Sequence, residues 1–107
     1  METVDQIVDK FVYSAIQHRL AIKDGSGKKA NRWLKKVSVI YNQLVETGCV
    51  DRLKPLLEHE DEYVRLSVAC LAKEIFPNES KKVLRKLTKS SEPYVQISAK
   101  CSLDTRF

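Results

Sequence analysis

The stretch Leu53-Lys-Pro-Leu-Leu-Glu-His-Glu-Asp-Glu-Tyr-Val-Arg-Leu-Ser-Val-Ala-Cys-Leu71 fixes the reading of the fold. Leu53, Leu56 and Leu57 mark one apolar helix face, and Glu58 to Glu62 form a polar connector. Tyr63, Val64, Ser67, Val68 and Leu71 then recur at steps of three and four, the period of an amphipathic helix. The pattern returns further along the chain. A shift of 31 residues carries Leu53 onto Leu84, Leu56 onto Leu87, Tyr63 onto Tyr94, Val64 onto Val95, Ser67 onto Ser98 and Cys70 onto Cys101. Apolar matches alone follow from a shared period. Tyr-Val pairs, serines and cysteines in one phase do not. The physical reading is two copies of a helix–turn–helix unit, each covering the other's apolar face.

The remaining segments are also helical. Val4, Ile7, Val8, Phe11, Val12, Ala15, Ile16 and Leu20 form a first stripe, with Thr3 as N-cap and Gln6 completing a capping box. Lys23 to Gly27 ends it. Trp33, Leu34, Val37, Ile40, Tyr41, Leu44 and Val45 form a second stripe, closed by Gly48. Asp51 is read as N-cap of a third helix, with Pro55 in its first turn. The fourth runs on to Ile75 and stops at Phe76-Pro77-Asn78. The fifth holds Val83, Leu84 and Leu87. The sixth, after Ser90 to Pro93, holds Tyr94, Val95, Ile97, Ala99 and Cys101. The expectation is an all-α fold, a short helical repeat stack of about six helices. It forms one domain over 1–107, an N-terminal helix pair in 1–48 followed by two repeats in 49–107. Cys70, Cys101, Leu71 and Leu84 are expected in the core.

Composition agrees. Of 107 residues, 43% are hydrophobic and 31% charged, which excludes a disordered tail. Three glycines and three prolines are too few for the turns of a β-sandwich. No apolar run approaches the roughly 20 residues of a membrane span. The acidic, amphipathic start is not a signal peptide. Three cysteines without CxxC spacing make no zinc set and fit a reduced, cytoplasmic setting.

With those residues set out, the 53–71 stretch resembles a HEAT repeat: a leucine helix, an acidic turn, then Val64-Arg65 and small residues. The second copy has Val95-Gln96 and lacks the arginine. The whole chain resembles a family of small bacterial helical proteins, through its first helix, Asn31-Arg32 and the HEAT-like half. The resemblance implies an α-solenoid. Because members are often encoded beside contact-delivered toxins, it also implies an immunity protein.

Charge is segregated along the chain. Lys23 to Glu46 holds six basic and two acidic residues, Cys49 to Phe76 four and six, and Asn78 to Phe107 seven and three. Two candidate partner-binding patches follow. One is the basic face Lys28, Lys29, Arg32, Lys35 and Lys36 with Trp33 as anchor. The other is the acidic turn Glu58, Glu60, Asp61 and Glu62 with Tyr63 beside it. Lys81, Lys82, Arg85, Lys86 and Lys89 make a second basic face. Arg65 reads as a structural ion-pair partner. Gly25-Ser26-Gly27-Lys28 lacks the spacing of a phosphate loop and reads as a linker. No nucleophile–base pair or metal set stands out, so no enzyme activity and no cofactor are expected. The leading expectation is a protein that binds and neutralises a cognate toxin, a nuclease among the candidates. The alternatives are a nucleic-acid-binding protein or a general interaction module.

Overall fold

Amphipathic helices cover one another in pairs, and every regular element of this chain is a helix among the described residues, 2–105 of the computed structural model. Met1, Arg106 and Phe107, at the ends of the expected 1–107 domain, lie outside them. The order is α1 (Val4–Lys23), α2 (Gly27–Glu46), a 3-10 helix (Val50–Glu58), α3 (Glu62–Leu71), α4 (Pro77–Leu87) and α5 (Pro93–Asp104). The chain divides into two compact units, Met1–Leu53 and Lys54–Phe107.

The first unit is the α1–α2 hairpin. Thr3 and Gln6 form the expected capping box, with bonds of 3.2 Å and 2.9 Å. Gly25 and Gly48 both adopt φ of +73°, the left-handed conformation that only glycine takes without strain. Each ends its helix in a Schellman motif. At α1, the Ser26 N–H donates to the Ala21 carbonyl and the Gly25 N–H to that of Ile22. Ser26 then caps α2, its hydroxyl accepting from the Lys29 N–H at 3.4 Å. One residue thus closes one helix and opens the next. Ile7, Phe11, Ala15 and Ala21 from α1, with Ala30, Val37, Ile40 and Leu44 from α2, are buried. His18 shares the buried face of α1, and burial holds its pKa below the ordinary 6.5. Arg52 pairs with Asp5.

The second unit repeats one motif, and a helical repeat stack fits it. α4 lies against both α3 and α5. Tyr63 and Tyr94, equivalent under the 31-residue shift, stack with ring centroids 5.7 Å apart and planes within 7°. The turns repeat as well. The Asp61 N–H donates to His59 Nδ1 at 3.0 Å, and one copy later the Glu92 N–H donates to Ser90 Oγ at 3.0 Å.

Four expectations need correction. Pro55 lies within a 3-10 helix, and Asp51 falls in its first turn instead of capping it. An α-helix there would lose the Pro55 donor and press its ring on the Asp51 carbonyl. The fourth helix stops at Leu71 with Ala72 as its C-cap, so Ile75 falls in the turn before Phe76-Pro77 and stands 39% exposed. Cys101 is exposed although Cys70 is half-buried. The cause is position in the stack. α5 covers the face of α3 that holds Leu66, whereas no helix among the described residues covers the same face of α5. Leu66 is 5% exposed and its counterpart Ile97 60%. Leu71 is half-buried, while Leu84 is fully buried as expected.

Three outcomes follow for stability. Leu84→Ala should cost about 2–5 kcal/mol in denaturant unfolding, and Leu71→Ala clearly less, because half-burial leaves a smaller cavity. Ser80 is fully buried and its hydroxyl has no hydrogen-bond partner among the described residues. Ser80→Ala should therefore stabilise the fold by about 1 kcal/mol. His18 favours its neutral form in the folded state, so its contribution is complete above pH 6.5. Below that pH the unfolded chain takes up a proton that the folded hairpin resists, and stability falls until the folded value is passed. His18→Gln should flatten the melting temperature between about pH 7.5 and 5.

Candidate functional site

Helix geometry sorts the charges of α2. Residues at i, i+4 and i+7 share a stripe. Lys28, Arg32 and Lys35 form one stripe and continue into Val39, which is 64% exposed. Lys29, Trp33 and Lys36 form a second stripe beside it. All five cations are exposed, on the side away from Ala30, Val37 and Leu44. No acidic residue occurs in α2 before Glu46. Its first turn carries Lys28 and Lys29 with no acid to offset them. Cations there oppose the helix dipole, at a typical cost of about 0.3–1 kcal/mol each. The hairpin would be more stable without them.

The second stripe meets α1. Tyr13 and Trp33 pack edge to face, with centroids 5.8 Å apart and planes at 80°. Lys36 Nζ stands 5.2 Å from the centre of the Trp33 ring, a cation–π contact. Tyr13 remains 57% exposed, so a large ring is held outside the core by a neighbouring ring. Lys29, Trp33 and Lys36 are thus brought together as expected, and Tyr13 joins them unforeseen. The signal for Tyr13 was its place off the apolar stripe of α1, between Phe11 and Ala15, where an aromatic ring has no core to fill.

In the second unit, Lys81, Lys82, Arg85 and Lys86 lie exposed on α4, opposite buried Ser80, Leu84 and Leu87, and exposed Lys89 falls in the turn that follows the helix. The acidic turn is partly structural. Asp61 Oδ1 caps α3 by accepting from the Tyr63 N–H at 2.8 Å, and Glu62 Oε1 accepts from the Ser90 hydroxyl at 2.9 Å. Glu58 and Glu60 are exposed. Tyr63 is only 3% exposed, its ring stacked on Tyr94, so it offers no surface anchor there. Arg65 was read as an ion-pair partner. Its Nε is buried with no hydrogen-bond partner among the described residues.

Burial raises the Cys70 pKa, only partly opposed by a hydrogen bond with Ser102 and the charge of Lys73. Among the described residues, no three His, Cys, Asp or Glu side chains cluster as a metal set, and no helix is long and apolar enough to cross a membrane. No family model matches this chain, and neither does any curated protein or solved structure in the comparisons made.

Proposed function

We propose that this chain is a binding protein that neutralises a cognate polypeptide toxin in the cytoplasm by covering its working surface. One observation supports the reading above others. Like charges are gathered onto exposed faces that neither core uses, most fully on α2, where five cations stand with no acid among them. Such segregation steers association and rejects wrong partners, while affinity comes from a few anchors at the centre of the contact. A broad helical surface suits inhibition by contact, which needs area and no chemistry. The resemblance to toxin-associated helical families points the same way. Against a nuclease, the exposed Glu58 and Glu60 would stand where substrate phosphates bind. Against an acidic toxin, the α2 face would dock.

A second reading is direct nucleic-acid binding. The contact between Tyr13 and Trp33, placed beside the cations, favours it.

The test is survival of cells expressing the toxin gene encoded next to this one. The intact chain should protect. Arg32→Glu with Lys36→Glu, or Glu58→Lys with Glu60→Lys, should abolish protection while melting normally. These pairs leave Asp61 and Glu62, which hold the fold, untouched. If both pairs still protect, neither patch is the interface. If the intact chain protects against no neighbouring product, the toxin reading falls.

A further inference from the structure

We infer that the Tyr13–Trp33 edge of the α1–α2 hairpin binds single-stranded nucleic acid. This rests on the second reading above, to which it adds the edge that binds and the strand class it takes, and it stands or falls separately from toxin neutralisation.

Two features converge on this edge. The first is a ring outside the core. Tyr13 is 57% exposed and is held in place by Trp33, which Lys36 in turn braces from 5.2 Å. An ordered and exposed aromatic face is a stacking surface. The second is the run of cations beside it. Lys29 to Lys36 and Lys28 to Lys35 each span about 10 Å along the helix at 1.5 Å per residue. They therefore follow a strand instead of gathering at one point.

The ligand class follows from what the edge offers. An acidic polypeptide would use the cations and take one ring as an anchor, whereas this edge sets a pair of adjoining rings beside two rows of cations. A nucleic acid supplies phosphates for the cations and base faces for stacking. In a duplex those faces are already stacked on one another, so a free ring selects single strands. Asp9 lies one turn before Tyr13 on α1, and Asp24 lies at the bend before Lys28.

Trp33 is the only tryptophan, so its emission reports from the site itself. The experiment titrates the full chain with an oligothymidylate of about 20 nucleotides at low salt, a length that exceeds a typical single-strand site. Trp33 emission should be quenched, and affinity should fall steeply as salt rises. Tyr13→Ala should weaken binding about tenfold with the salt slope unchanged, as loss of one stacking partner does. Tyr13→Phe should bind like the wild type. Lys28→Glu with Lys29→Glu should weaken binding, flatten the salt slope and raise the melting temperature. That last pairing is one a purely structural role for these lysines does not produce. Three results would overturn the inference: emission unmoved by the oligonucleotide, Tyr13→Ala binding as tightly as wild type, or poly-L-glutamate of matched charge competing equally well. The last would assign the edge to an acidic protein. Tyr13→Ala that loses the oligonucleotide yet still protects cells would separate this site from the toxin interface.

Discussion

An amphipathic helix of ten to twenty residues cannot cover its own apolar face, and that constraint organises each unit of this protein. In the first unit two long helices satisfy it reciprocally, Phe11 and Ala15 on one side and Val37 and Leu44 on the other. In the second, α4 lies between two neighbours and buries Leu84 and Leu87 completely. α5 has its inner side covered, with Val95 and Ala99 fully buried, while Ile97 and Cys101 on its other side meet solvent. The same residue types at equivalent positions therefore have different burial, because burial is decided by the neighbour and not by the residue.

This is also why some of the structure was legible in the sequence and some was not. Local rules carried well. Thr3 and Gln6 announced a helix start through bonds made within a single turn. Gly48 announced a helix end because only a left-handed residue closes a Schellman motif cheaply. The 31-residue echo matched Tyr63 with Tyr94, but that the two rings stack is seen only in the fold. Periodicity reports which face of a helix is apolar but not how far that face is covered, so Cys101 and Leu71 were placed too deep. Pro55 was recognised as tolerable near a helix start, yet its effect on winding depends on where the helix begins.

The candidate surfaces divide along the same line. The cations of α2 share one helix, so their spacing alone placed them together. Tyr13 and Trp33 come from different helices, and nothing within either helix predicts their contact. Within α2 the sequence already sets Trp33 between Arg32 and Lys35, and the folded hairpin adds Tyr13 beside it. Tyr63 shows the reverse. Its place beside four acids suggested an anchor, but the second copy of the repeat supplied a ring to stack on it and drew it inside.

The double duty of Ser26 bears on how this hairpin tolerates change in length. It is the third residue past the end of α1 and the N-cap of α2, so the connection is short. One residue inserted at the bend would separate these two roles, so that the bond closing α1 and the cap opening α2 fell to different side chains. Substitutions on the outer face, by contrast, alter the ligand surface one side chain at a time and leave the bonding of the bend intact.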